Sequence, residues 1–480
     1  MNTLSGYLYY PDSLAEAGGN TYCLVRSVID HARYLGVIGS ADGFQSPRET
    51  GTKTRLFPLT AENAAALRQK LAWLVPQPLG LRTTAGFGDR LGLATPGHVL
   101  AVQGTGIAPI FAQQSVRENA RTRRTPQQVM DDATWGVFQT GWQQPWGADA
   151  DHLKTTADID SFFDAGFTFF TIDPGDYVDN AAQTDPLAVL REKASALPWE
   201  HLHATPEAIY QRYLDRSFLV EDLTLEFTET ELLRALVKYG RAIAHTLDMA
   251  GHLAQRASGR AYDLEISVDE TETPTSTAEH FFISSELRRL GAQWTSLAPR
   301  FIGRFEKGVD YIGDLAVFEQ AFAQHAAIAR HFGGYRLSLH SCSDKFSIYA
   351  IAAHHTGGLV HLKTAGTSYL EALRVIAQVD PDLFRRILHL AIERYETDRA
   401  SYHVSARLEK VAAPDTISDR NLAGLLDQFD ARQVFHVTFG AALDRFGPHI
   451  HETLRAHENV YYAALETHFK KHLEPLRVKP

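Results

Sequence analysis

Short apolar runs recur along the chain, and most lead into polar residues and then a helix-spaced segment. In 261–270, Leu264, Ile266 and Val268 alternate with Glu265, Ser267 and Asp269, the period-2 pattern of a strand. FTFFTIDPGD, at 167–176, is a continuous apolar run with Asp173 at its tip. Leu337 and Leu339 lead to His340, and Leu359, Val360 and Leu362 lead through His361 to Lys363 and Thr364. Between these runs lie helical patterns. Thr60 can cap a helix carrying Leu67, Leu71 and Leu74, and Thr125-Pro126 opens another carrying Val129, Ala133 and Val137. Leu232, Leu236, Ile243 and Leu247 line one side of a longer helix, and further helices are expected at 279–291, 314–332 and 367–378.

Strand candidates fall near residues 81, 149, 168, 262, 295, 336, 359 and 435. Eight strands alternating with helices predict an α/β fold, a TIM-like (β/α)8 barrel with an N-terminal extension and a helical insertion. The expected division is 1–75 as an extension packing on the barrel, 76–450 as the catalytic barrel, and 451–480 as a C-terminal helix. The insertion is expected at about 186–260. Residues 1–60 read as irregular or short-strand material, and Gly104, Gly106 and Pro109 read as a turn. His354 and His355 are expected to face solvent in a glycine-flanked turn. A doubly wound open sheet is the alternative architecture.

Composition narrows the classes. The 480 residues are 44% hydrophobic, enough for a large core, and the net charge of −10 argues against a nucleic-acid surface. Two cysteines, Cys23 and Cys342, provide neither a disulfide framework nor a thiolate metal cluster. No run reaches membrane-spanning length and no signal peptide is expected, so a cytoplasmic location is the default. There is no HExxH helix, GxSxG elbow or phosphate-binding loop.

The chemistry is expected at the strand tips, where barrels and open α/β sheets place it. His152 and His340 are the candidate ligands for a divalent metal, and imidazole with carboxylate suits Zn, Mn, Fe, Co or Ni. Asp151 beside His152, and Glu265 on another strand, could handle protons on opposite faces of a bound sugar. The structural alternative has Asp151 capping a turn and Glu265 paired with a barrel arginine. Lys154, Arg300, Glu306, Lys345, His361 and Lys363 complete the candidate substrate side, where arginine offers a planar fork to a carboxylate. Cys342, close to His340 in sequence, is expected to be structural.

Several segments carry a resemblance. GFGDRLGLATPGH at 86–98, TPQQVMDDATW at 125–135, GADADHLKT at 147–155 and GFTFFTIDPGD at 166–176 are followed by LEISVDE. APRFIGRFEKGVDYIGD at 298–314, SDKFSIY at 343–349 and HLKTAGTSYLEALRVIA at 361–377 continue the series. In content and order the chain resembles the tagaturonate/fructuronate epimerases of hexuronate metabolism. The resemblance implies a metal-dependent barrel isomerase interconverting D-tagaturonate and D-fructuronate. It also implies Asp151 and Glu265 as the proton-transfer pair and His152 and His340 as metal ligands. The alternative is a metal-dependent isomerase or aldolase of a related sugar or sugar phosphate. The expected partner is a small anionic sugar, with neither nucleic acid nor membrane. Self-association into a homo-oligomer is compatible with the sequence.

Overall fold

Eight parallel strands close on themselves in sequence order in a computed structural model that describes residues 4–340 and 344–477. They are β1 (Thr84–Gly88), β2 (Ala108–Ser115), β3 (Gly147–Leu153), β4 (Phe169–Ile172), β5 (Asp263–Val268), β6 (Ser296–Pro299), β7 (Arg336–His340) and β8 (Val360–Lys363). The barrel closes where His361, Leu362 and Lys363 of β8 pair with Thr84, Ala85 and Gly86 of β1. The expected (β/α)8 architecture is therefore present. The tip residues Ser341, Cys342 and Ser343 lie outside the described residues.

Two strand expectations need correction. The apolar segment near residue 435 is a helix, Phe429–Val437, whose residues from Ala431 to Val437 are all buried. A short run buried on every side carries no periodicity to separate helix from strand. The missing strand is β2, in a region expected to be a turn. Pro109 sits at its second residue, where the lost N–H is tolerated. The first strand also begins three residues beyond residue 81. Residues 79–80 instead close the bottom of the barrel, with Leu79 and Gly80 N–H donating to the Asp263 carboxylate. His354 and His355 stand on helix Phe346–Thr356, and the turn begins only at Gly357, its left-handed cap.

The N-terminal segment is more regular than expected. Strands Tyr7–Ala17, Asn20–Ser27, Arg33–Ile38 and Thr54–Pro58 form an antiparallel sheet. Arg33 ties it to the barrel by donating to Gln139 on helix Pro126–Thr140 (2.8 Å), and Tyr10 donates to Glu458. Between β4 and β5 lie helices Leu187–Ser195 and Pro206–Tyr213, a hairpin of Ser217–Val220 and Leu223–Glu226, and the long helix Glu229–Ala257. Among the described residues no helix is long and apolar enough to cross a membrane.

Strand parity sets what faces the barrel axis. Leu264, Ile266, Leu337, Leu339, Val360 and Leu362 are buried on the helix side of their strands. Asp149, Asp151, Thr171, Glu265, Ser296, Arg336, His340, His361 and Lys363, each next to such a residue, turn inward and are buried there. The interior is thus filled by hydrogen-bonded polar side chains. Arg336 donates to Thr295 (3.1 Å) and to the Gly80 carbonyl (2.7 Å) near the base.

Gly88, at the tip of β1, is required by close approach. A Cβ there would come within 2.6 Å of the Ala365 carbonyl oxygen and would also strike Ala365 Cα. These are backbone atoms of the chain leaving β8, so neither can swing aside. Gly88→Ala is expected to cost about 1–3 kcal/mol, as overpacking does. Denaturant titration measures this, and an unchanged midpoint would show that the β1 and β8 tips separate freely.

Candidate active site

Asp151 and His152 are neighbours on β3, yet both reach the mouth of the barrel. In a regular strand they would point to opposite faces. The strand instead shifts register against β4 between Ala150 and Leu153. His152 adopts a left-handed backbone, φ 54°, a conformation uncommon for a non-glycine residue. Such a bulge re-aims a side chain, and here it sets the His152 ring edge-on to His340, with centroids 5.2 Å apart.

Lys363 occupies the centre of the site. Its ammonium lies 2.6 Å from Asp151, 2.9 Å from Glu265 and 3.1 Å from Asp149, and donates to Thr171 Oγ1 at 2.7 Å. All of these side chains are buried. Glu265 also meets His340 Nε2 at 2.6 Å and accepts from Ser296 at 2.5 Å. Its partners are therefore a lysine, a histidine and hydroxyls, rather than the barrel arginine considered above. Asp151 caps no turn. It accepts from Lys363 and from Gln113 on β2 at 3.2 Å.

Burial by itself would push the Asp151 and Glu265 carboxyls up. Lys363 with His152 and His340 outweighs it for Asp151, as do Lys363 and His340 for Glu265, and both are held well below the usual range. The histidines move the other way. Burial opposes charging them, but Asp151 and Asp173 (3.3 Å from His152 Nδ1) raise His152 well above its ordinary value. Asp269 (3.2 Å from His340 Nδ1) and Glu265 raise His340 to about 9 against burial and Lys363. Positive charge is therefore favoured at both imidazoles.

That charge preference fits a metal cation. The ligand atoms of Asp151, His152 and His340 lie within 4.8 Å of one another. Mixed imidazole and carboxylate donors suit a first-row divalent ion, which binds neutral histidine by displacing its protons. The ligand atoms of a second group, Asp344, His468 and His472, likewise lie within 4.8 Å of one another.

The other candidates separate by position. Arg300 and Glu306 line a cavity of about 680 Å³ together with His340, Asp269, Glu270, Arg304, Lys307 and Tyr402. Lys307 and Tyr402 continue into a smaller recess walled by Asp151 and His152. His361 lies deeper in the barrel, with Nδ1 2.8 Å from Thr84 Oγ1 and its ring against Phe169. Lys154 is half-exposed and pairs with Asp176 at 2.7 Å, reaching the site only through Asp173 at 4.0 Å. The Lys345 ammonium donates to the backbone carbonyls of Glu306 and Val309, bracing the loop under the cavity. Asp149 and Thr171 carry no local motif. Gln113 fell within the segment expected to be a turn.

Comparisons with known proteins agree over almost the whole chain. A family model described as "UxaE: tagaturonate epimerase" matches residues 10–476. A "Tagaturonate/fructuronate epimerase" of Thermotoga maritima is 44% identical over 478 residues, covering 98% of this chain and 97% of that protein. The native crystal structure of the fructuronate-tagaturonate epimerase UxaE from Cohnella laeviribosi superposes with a TM-score of 0.93 at 40% identity, covering 99% of this chain and 97% of its own. A glycerol complex of the same protein gives the same TM-score and identity, with coverages of 98% and 97%. This chain belongs to the tagaturonate epimerase family.

Proposed function

We propose that the chain interconverts D-tagaturonate and D-fructuronate, with Asp151 and Glu265 handling protons beside a metal held by His152 and His340. The observation that carries these roles is the bridging of Asp151 and Glu265 by one buried ammonium, Lys363, next to the paired imidazoles. Arg300, Arg304 and Lys307, set among carboxylates in the cavity lining, are the groups that could take the carboxylate of an anionic sugar.

The two ketohexuronates differ at C4, one carbon beyond the neighbour of the C2 ketone. Losing the C4 hydrogen as a proton would therefore yield no enediolate. Breaking the C3–C4 bond avoids this difficulty. A carboxylate accepts the proton of the C4 hydroxyl, and C4 becomes an aldehyde. The C3–C4 electron pair passes to C3 and the ketone oxygen as an enediolate. The aldehyde turns its other face, the bond re-forms, and the proton returns to the C4 oxygen. His152 and His340, with Asp151 in ligand reach, would hold a divalent cation, which would supply polarisation of the ketone and its neighbouring hydroxyl. Asp151 borders the recess and is placed to accept the hydroxyl proton. Glu265 orients His340 and shares the Lys363 ammonium with Asp151, so the proton taken by Asp151 passes through Lys363 to Glu265 for return to the C4 oxygen.

The test is purified D-tagaturonate with enzyme in D₂O, before and after chelation and metal restoration. D-Fructuronate is expected only with metal, and with the C4 hydrogen retained. Deuterium at C4 would eliminate the bond-breaking route. No conversion by the metal-restored enzyme, with turnover of a sugar phosphate instead, would overturn the substrate assignment.

A further inference from the structure

We infer that Asp344, His468 and His472 form a second divalent-metal site, which ties the C-terminal helix to the chain just beyond β7. Asp344 Oδ1 is the shared corner, 2.9 Å from His468 Nε2 and 3.1 Å from His472 Nε2. Tetrahedral bonds of about 2.0–2.1 Å separate neighbouring ligand atoms by about 3.3 Å; the two Asp344 distances are within a few tenths of an ångström of that, and all three ligand atoms lie within 4.8 Å of one another. The histidines are four residues apart on helix Glu458–Leu473 and so share one face. All three side chains are buried.

The surroundings are those of a ligand set. His468 Nδ1 lies 3.2 Å from Glu371, and His472 Nδ1 lies 3.0 Å from the Tyr349 hydroxyl. An acceptor on Nδ1 orients an imidazole so that Nε2 is free for a metal. The other Asp344 oxygen accepts from Arg432 at 2.7 Å, while Oδ1 faces both imidazoles and also accepts from Thr367 Oγ1 at 3.4 Å. A cleft of about 710 Å³ is lined by Asp344, His468, Glu371 and Arg432. That cleft shares no lining residue with the cavity at the barrel mouth. The two ion sites are separate, but they are linked along the chain because Asp344 follows His340 by four residues. An ion here pins the helix to the segment that leaves the His340 strand. Two imidazoles and one carboxylate are donors that suit Zn²⁺.

The experiment measures Zn²⁺ content in enzyme stripped with chelator, reloaded with Zn²⁺ and freed of excess ion. Wild type is expected to hold two equivalents per chain, His468→Gln/His472→Gln one, and His152→Ala/His340→Ala one. Equal content in wild type and His468→Gln/His472→Gln would show that the three side chains hold only protons, and would overturn the inference. The effect of His152→Ala/His340→Ala separately scores the mouth site. Should the glutamine variant fail to fold, Co²⁺ titration of His152→Ala/His340→Ala keeps every residue of the second site intact. Visible absorption of a tetrahedral cobalt centre, and a Tm lowered by chelator, are expected. Absence of both overturns the inference.

Discussion

Lys363→Met is expected to abolish epimerisation and to destabilise the protein by about 3–5 kcal/mol, the range for removing one partner from a buried ion cluster. Lys363 is the shared cation of Asp149, Asp151 and Glu265, within 3.1 Å of each, and all four side chains are buried. Methionine keeps the length of the side chain and removes the charge, so three carboxylates are left without the cation that unites them. Denaturant titration reads the loss and direct turnover reads the activity. In the wild type the carboxyls of Asp151 and Glu265 are held low against burial, chiefly by Lys363. Their contribution is present above the unfolded-state carboxylate range, roughly pH 4, and is lost as pH falls through the lower folded values. Without Lys363, burial is opposed at these carboxyls by the neighbouring histidines alone, and both rise. The destabilisation is then largest near neutral pH and shrinks as pH falls toward about 4. A penalty independent of pH would mean that Lys363 stabilises by packing alone.

Asp151→Asn and His152→Ala are expected to fail differently. Asparagine retains the shape of Asp151 and a carbonyl oxygen for Lys363, but it cannot take a proton. Turnover is expected to fall about 10²–10⁴-fold, the usual contribution of a positioned acid or base, with bound metal near wild type. His152→Ala removes an imidazole from the Asp151, His152 and His340 group, and is expected to lose the metal together with activity. Metal analysis beside kinetics separates the two. Loss of metal from Asp151→Asn would recast Asp151 as a ligand.

Much of the fold is legible locally because strand and helix periods are local properties. The capping boxes at Thr125 and Ser276 and the left-handed Gly357 mark helix ends in the chain itself. The failures have the same origin. APIFAQQS and the segment around residue 435 are both buried along their length, so neither shows an exposed face to set its period. Two glycines before β2 and a proline at its second residue outweighed its apolar run. The alternation of Leu264, Ile266 and Val268 with Glu265 and Ser267 was visible, but alternation alone does not say which face turns inward.

The family, the βα alternation and the polar strand tips are legible in the chain alone, because each is written in neighbouring residues and in the order of the motifs. Tertiary structure decided which tips meet. Barrel closure brings β8 beside β1 and sets Lys363 across from Asp151, 212 residues away. The bulge at His152 turns two adjacent side chains toward one site, and the same closure sends Lys345 beneath a loop and His361 into the barrel interior. Charge coupling falls steeply with distance and rises with burial, so the grouping of Lys363 with its carboxylates exists only after the eight strands have closed.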